Sequence, residues 1–307
     1  MATATAPKVC IAILNWNNYD QTLACLESLA TLDYPDYRII VIDNASVDRS
    51  VERIRETYPD ITMICSETNL GYAGGNELAL QQALADGETE LFWILNNDST
   101  VLPDTLSQLV SAYQRFGEAL YGGVPISSDG TSNQREWEAG LRGREPEIAR
   151  VLYGSTFMIP LSIVRRYGFM DTTFFMYAEE NDYCLRLRKL GVKSILVPTS
   201  ITFHVSKGSY RLEPSVSGII RYYRTRNRLI MLWRHSTRWS YVKRILKVLY
   251  FAANAGVLAL RGVPGKGAEC RYILLGLYDG LLRRTGKRFA PEDYLGIPEK
   301  VKPQEAP

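Results

Sequence analysis

The chain has 307 residues, of which 46% are hydrophobic and 22% charged, with a formal net charge of +3. That composition suits one large or two modest folded cores and excludes a chain that is disordered beyond its ends. The charge is unevenly placed: from Lys207 onward there are about 20 Lys and Arg against about 7 Asp and Glu, leaving about 16 against 26 before it. A basic C-terminal section is expected to meet something anionic, such as a phosphate or a lipid surface.

The opening MATATAPK lacks an apolar stretch behind a basic start, so neither a secretory signal nor a membrane span is expected there, and the protein is expected in the cytoplasm. Cys10, Cys25, Cys65, Cys184 and Cys270 include no CxxC pair and are odd in number, which argues against a disulfide framework or a zinc cage. They read as small core hydrophobes. The first hundred residues then alternate apolar runs with amphipathic stretches: VCIAIL, a helical pattern through Leu23, Leu26 and Leu29, RIIVID, a charged helix near residues 48–58, ITMIC, a helix near 75–85, and LFWIL. Near-continuous apolar strands between helices predict an α/β fold with a mostly parallel sheet covered on both faces. Ligands bind such sheets beyond the carboxyl ends of the strands. The polar residues there are Asn15, Asn17 and Asn18 after the first strand, Asp43, Asn44, Ser46 and Asp48 after the second, and Asn96, Asn97 and Asp98 after the fourth.

Residues 117–150 turn polar and rich in Gly, Ser and Arg, predicting a long surface excursion over a site. VLYGSTFMIP is strand-like, FFMYAEENDYCLRLRKLG reads as a loop entering a helix ended by Gly191, and VKSILVP is another strand. From Ser215 the pattern is wholly helical. Residues 248–260, VLYFAANAGVLAL, are too few for the roughly 20 needed to span a bilayer. Lys243, Arg244 and Lys247 before this stretch, and Arg261 and Lys266 after it, suit a helix lying in an anionic membrane interface; a core helix of a small bundle fits as well.

Each candidate site residue has two readings. Asp98 is a turn former or helix cap by itself, but Asp43 at the corresponding end of a neighbouring strand offers a second hard oxygen ligand for a cation on a diphosphate. ETNLGYAGGNELAL reads either as a tight turn or as a glycine-rich anion loop, although it follows the third strand and is not GxGxxG. Glu179, Glu180 and Asp182 either complement a helix dipole, with Asp182 pairing to Arg186, or hold one acid in a partly dry site as a general base. His204 reads as structural or as a ligand. Arg224 and Arg228, in RYYRTRNRLIMLWR, suit phosphate recognition or a basic outer helix face, and a nucleic-acid partner is not expected.

Taken in order, IAILNWNNYDQTLACLESL, VIDNASVDRS, NLGYAGGNELAL, LNNDSTVLPDTL, GSTFMIP, GFMDTTFFMYAEENDYCLRLRKLG and RYYRTRNRLIML resemble the motif series of family 2 glycosyltransferases, particularly the bacterial rhamnosyltransferase-like and galactofuranosyltransferase-like branch. The resemblance covers about residues 8–235 and weakens over the C-terminal helices. It implies a GT-A fold over residues 8–212 with a C-terminal helical region over 213–290, between a disordered 1–7 and a tail at 291–307. It implies a divalent cation, Mn²⁺ or Mg²⁺, held by Asp98 and His204, where Asn96 and Asn97 stand in the earlier positions of the DxD-type motif. It also implies a nucleotide-diphospho-sugar site drawing on Asn15, Asp43, Asn44, Gly71, Asn76, Asn97, Gly154, Ser155, Arg224 and Asn227.

By position in the family's ED motif the catalytic base is Glu180, a Glu where Asp is usual, with Glu179 and Asp182 beside it. The implied reaction is inverting transfer of a sugar, from dTDP-rhamnose or a UDP-sugar, to a hydroxyl of a cell-surface glycan or a lipid-linked acceptor. The implied place is the cytoplasm or the inner face of the cell membrane. Two rivals share the pattern: a nicotinamide-dependent oxidoreductase, disfavoured by the position of the glycine loop, and a degenerate nucleotide-sugar binding or assembly protein, motivated by Asn96, Asn97 and Glu180.

Overall fold

The computed structural model describes residues 6–127, 134–204 and 214–290. The expected disorder at 1–7 falls mostly outside these residues, and the tail at 291–307 wholly so, as does the part of ITFHVSKGSY beyond His204. The chain divides into two compact units. One is Met1–Thr172 with Glu179–Ser209, and the other is Thr173–Ala178 with Tyr210–Pro307.

The first unit is built on a sheet of nine strands. β1 (Val9–Asn15), β2 (Tyr37–Asp43), β3 (Thr62–Cys65) and β4 (Leu91–Asn96) run parallel and alternate with α1 (Tyr19–Leu29), α2 (Ser50–Thr57) and α3 (Gly71–Ala85). Then follow β5 (Ser99–Val101), α4 (Thr105–Phe116), β6 (Ala119–Ser127), α5 (Gln134–Leu141), β7 (Glu147–Ala149), β8 (Thr156–Pro160), α6 (Leu161–Tyr167), α7 (Glu179–Arg188) and β9 (Lys193–His204). The strand order is β3-β2-β1-β4-β8-β6-β9-β5, with β7 also paired to β9. The order changes direction around β1, the kind of place where open α/β sheets bind ligands.

The apolar runs are continuous because both faces of the sheet are covered. Val9, Ile11 and Ile13 of β1 and Leu91, Trp93 and Leu95 of β4 enter one core, against Leu26 and Leu29 of α1 and Leu106 and Leu109 of α4. Cys10, Ala12, Phe92 and Ile94 face the other way, against Ala79 and Leu80 of α3 and Tyr183 and Leu187 of α7. Alternation therefore exists, but between two apolar layers rather than between core and water. Cys10, Cys25 and Cys184 are buried as expected, whereas Cys65, at the end of edge strand β3, is exposed.

Two local expectations are corrected. The excursion predicted over 117–150 begins instead with β6, an inner strand of the sheet, and α5 and β7 follow it. Its GG and Pro hide the strand pattern; the ladder accommodates them with an irregularity between Gly122 and Val124. The glycine stretch is not a loop ahead of a helix. Gly74 and Gly75 lie inside α3, which starts at Gly71. A Cβ on Gly75 would sit 2.4 Å from Cδ1 of Leu14, so glycine there lets α3 lie close on β1.

In the second unit α8 (Pro214–His235), α9 (Arg238–Leu260) and α10 (Lys266–Leu281) pack on one another. A Cβ on Gly276 would meet the Tyr222 carbonyl oxygen at 2.6 Å, so α10 approaches the α8 backbone closely. No helix among the described residues is long and apolar enough to cross a membrane.

Candidate active site

Register brings the first group of polar residues together. Asn15 pairs with Asp43 and Leu14 with Asn96, so the ends of β1, β2 and β4 lie level at one edge of the sheet. Asn15 and Asp43 are both buried. Nδ2 of Asn15 donates to Oδ1 of Asp43 at 2.9 Å and to Oγ of Ser46 at 3.1 Å, while the Ser46 amide donates to the other Asp43 oxygen at 2.9 Å. Each oxygen keeps acceptor capacity, because an ionised carboxylate offers about four lone-pair sites.

Other amides nearby are committed to the chain itself. Nδ2 of Asn44 donates to Asn69 Oδ1 and to the Gly71 carbonyl, and its Oδ1 accepts from the Leu70 amide. Nδ2 of Asn97 donates to Thr22 Oγ1 at 2.9 Å. Asn44 and Asn97 thus shape the walls. Asn76 is fully buried in α3, its Nδ2 bonded to the Tyr72 carbonyl at 2.9 Å, while its Oδ1 has no donor among the described residues. Gly71 opens α3 at φ 74° with its amide on Asn69 Oδ1.

The second group follows from β5. Ser99 pairs with His204, which sets the preceding residue, Asp98, beside the imidazole. His204 Nε2 lies 3.1 Å from Asp98 Oδ1, a buried oxygen. The bond to Asp98 raises the His204 pKa above the usual imidazole value, against the opposing effect of burial.

The third group surrounds α7. Glu179 and Asp182 are buried and Glu180 is half-buried at the start of that helix. Gly154 and Ser155 form the turn before β8; the Ser155 carbonyl accepts from the Asn96 amide at 3.0 Å, which joins this turn to the end of β4. A Cβ on Gly154 would lie 3.4 Å from Glu180 Cγ and 3.5 Å from the Tyr72 hydroxyl oxygen. Tyr72 donates to the Gly154 carbonyl at 2.5 Å. Burial raises the Glu180 carboxyl pKa, partly offset by backbone N–H groups of Glu180 and Asn181. Burial, and then the charges of Glu180 and Glu179, hold the Tyr72 phenol well above its ordinary value.

The second unit holds the remaining two predicted residues. Asn227 is fully buried, and its Nδ2 donates to the carbonyls of Phe174, Met176 and Tyr177. It therefore acts on backbone, not as a free amide. The Arg224 guanidinium stacks 4.6 Å over the Tyr177 ring.

Residues 10–178 match the family described as Glycosyl transferase family 2. The chain belongs to that family. It is 27% identical over 164 residues to a low-salt glycan biosynthesis hexosyltransferase of Haloferax volcanii, a match spanning 49% of this chain and 53% of that relative. It is 23% identical over 289 residues to a dTDP-rhamnosyl transferase of Shigella flexneri, covering 87% and 94% of the two chains. A third relative, the N-acetylglucosaminyl-diphospho-decaprenol L-rhamnosyltransferase of Mycobacterium tuberculosis, is 25% identical over 272 residues, covering 77% and 87%. Among solved structures, a mannosyltransferase from Pyrobaculum calidifontis in complex with GDP-Man and Mn²⁺ superposes with a TM-score of 0.58 at 16% identity, over 92% of this chain and 89% of that one. The S. aureus protein TarS in complex with UDP gives 0.54 at 13%, over 78% and 68%. The fold is the GT-A fold of those glycosyltransferases.

For a family 2 glycosyl transferase, the donor set at Asp98 and His204 fits a hard or borderline divalent cation: one carboxylate and one imidazole, the imidazole nitrogen 3.1 Å from a buried carboxylate oxygen. No group of three or more His, Cys, Asp or Glu gathers among the described residues. Two residues escaped the sequence reading. Tyr72 lies one position past a glycine already singled out, and an aromatic there carried no periodic signal. Arg226 is buried, donating to the carbonyls of Phe174 and Gly286, and only burial separates it from the exposed Arg224 and Arg228.

Proposed function

We propose that this family 2 glycosyl transferase moves a sugar from a nucleoside-diphosphate donor to an acceptor hydroxyl with inversion. What supports this reading is the placement of the Asn15–Asp43 pair at the ends of β1 and β2, the Asp98–His204 pair just beyond β4, and the half-buried Glu180 beside the Gly154 turn that bonds the end of β4. Asp43, steadied by Asn15 and Ser46, retains acceptor capacity for the N–H groups of the donor's base. Asp98 and His204 would hold Mn²⁺ or Mg²⁺; when bound, that ion supplies charge compensation to the donor diphosphate.

Glu180 takes the proton of the acceptor hydroxyl as that oxygen bonds to the anomeric carbon and the bond to the diphosphate breaks. Burial raises its pKa, the direction that makes a carboxylate a stronger base. Tyr72 and Gly154 back the carboxylate; the absent Cβ of Gly154 leaves room for it. The rhamnosyl transferases among the relatives favour dTDP-rhamnose, with a UDP-sugar next, and the decaprenol in one relative's name favours a lipid-linked acceptor.

A peripheral position on the inner membrane face is supported by α9. Trp239, Leu246 and Tyr250 are 65%, 60% and 68% exposed there, interleaved with Lys243 and Lys247.

A thermal-shift screen of nucleotide sugars with and without Mn²⁺ tests the donor, because a ligand bound only by the native state raises its stability. Stabilisation by one nucleotide sugar, enhanced by Mn²⁺, is expected; no response to any would sink the reading. Asn96 and Asn97, in place of acids, favour as second reading a donor-binding protein without turnover. Slow donor hydrolysis without acceptor argues for the enzyme.

A further inference from the structure

The helical unit contains a feature that sugar transfer does not require. A cavity of about 220 Å³ lies among α8, α9 and α10. Arg221, Arg224, Arg244 and Lys266 give it a cationic side. Its carboxylate, Glu269, is already engaged by Arg221 at 3.1 Å and Lys266 at 2.6 Å.

Arg244 is different. It is half-buried, and its Nε is buried with no acceptor among the described residues. Burial, and secondarily the like charge of Arg228, lower its pKa. A buried guanidinium N–H without an acceptor is unfavourable, and an anion beside it relieves that.

The lining also includes an apolar wall from Val248, Phe251, Leu258 and Ile273, along with Thr225, Asn254 and Ala255. Phe251 is itself 48% exposed and sits next to exposed Tyr250, so this wall continues onto the uncovered apolar face of α9. A free inorganic anion gains nothing from such a wall, whereas methylenes attached to a phosphate do. The volume suits a headgroup and the start of a chain, not a whole lipid.

We propose that this cavity binds the phosphate of an anionic membrane lipid, with Arg244 as its main charge partner and the Val248–Phe251–Leu258 wall receiving the first methylenes. The proposal rests on the membrane-surface reading of α9 but not on the sugar chemistry.

The test uses the full chain and no sugar nucleotide, so its failure leaves the transferase reading intact. Flotation with phosphatidylcholine vesicles containing phosphatidylglycerol is compared with phosphatidylcholine alone, and melting is followed with dihexanoyl phosphatidylglycerol or inorganic phosphate. Arg244→Gln is expected to weaken flotation on the anionic vesicles about tenfold and to remove stabilisation by the short-chain lipid. Lys243→Gln, one residue away and outside the cavity, is expected to change flotation less than about threefold. Leu258→Asp, which spoils the apolar wall and leaves Arg244 in place, is expected to lose the short-chain lipid response while helicity by circular dichroism is kept. Equal losses in Arg244→Gln and Lys243→Gln would mean diffuse surface attraction and overturn the site. Equal stabilisation by inorganic phosphate and by the short-chain lipid would overturn the lipid assignment.

Discussion

Nε2 of His204 lies 3.1 Å from Oδ1 of Asp98, at the junction where β5 and the end of β9 pair in antiparallel register. Asp98 and His204 would be the chain's ligands for a divalent cation, and such a cation would require the coordinating imidazole nitrogen to be free of its proton. Asp98→Ala and His204→Ala are each expected to weaken Mn²⁺-dependent nucleoside-diphosphate binding at least about tenfold. Metal-free binding should change little. Calorimetric titrations with and without Mn²⁺ check this, and an unchanged Mn²⁺ dependence in both variants would remove the pair from the site.

Glu180→Gln is expected to lower turnover by about 10² to 10⁴ while donor binding is retained. Single-turnover rates alongside donor titration measure both. Equal turnover would refute the assignment.

Glu180 also predicts a pH dependence. Its pKa is raised by burial, so the ionised base forms at higher pH than for a free glutamate, and the acid limb of the rate profile should have its midpoint above about 4.3. The folded state holds this proton more tightly than the unfolded state. Its stabilising contribution is therefore present at low pH and lost as pH rises through the folded value. At neutral pH, Glu180→Gln should melt no lower than the parent chain, a stability gained at the expense of activity. Thermal melts at acid and neutral pH read the sign.

Asn227 satisfies three carbonyls in a stretch where Phe175, Tyr177 and Ala178 all have positive φ, near 68°, 68° and 76°. Such backbone costs about 1–3 kcal/mol per residue and persists only when its surroundings hold it. Asn227→Ala should lower stability by about 2–4 kcal/mol, and Asn227→Asp, which sets a carboxylate against the carbonyls, by at least as much. Denaturant unfolding measures it; a loss below about 0.5 kcal/mol would show that the bonds are not holding the strained segment.

Gly75→Ala places a methyl group 2.4 Å from Leu14 Cδ1, where α3 meets β1. An overpacking loss of about 1–3 kcal/mol is expected. Gly74→Ala, whose Cβ would meet only Leu70 Cβ at 3.0 Å, should be milder in the same melt.

The sequence by itself determined the layered α/β architecture, because short apolar runs between amphipathic helices have few other ways to bury both faces of a sheet. VCIAIL, RIIVID, ITMIC and LFWIL all became the expected parallel strands, and the polar residues at their ends lie where chain direction puts them. β6 was illegible: Gly122, Gly123 and Pro125 look like loop residues until partner strands tolerate them.

Which polar side chains remain available is a tertiary matter. The amides of Asn15, Asn44, Asn97 and Asn227 are all bound to backbone or to neighbouring side chains, and nothing local announces a partner so far along the chain. The same reason separates buried Arg226 from exposed Arg224, and half-buried Glu180 from buried Glu179. Local periodicity sets which elements form and which way they face. Register and packing between remote segments set which of their polar groups face one another, and only the folded chain supplies those.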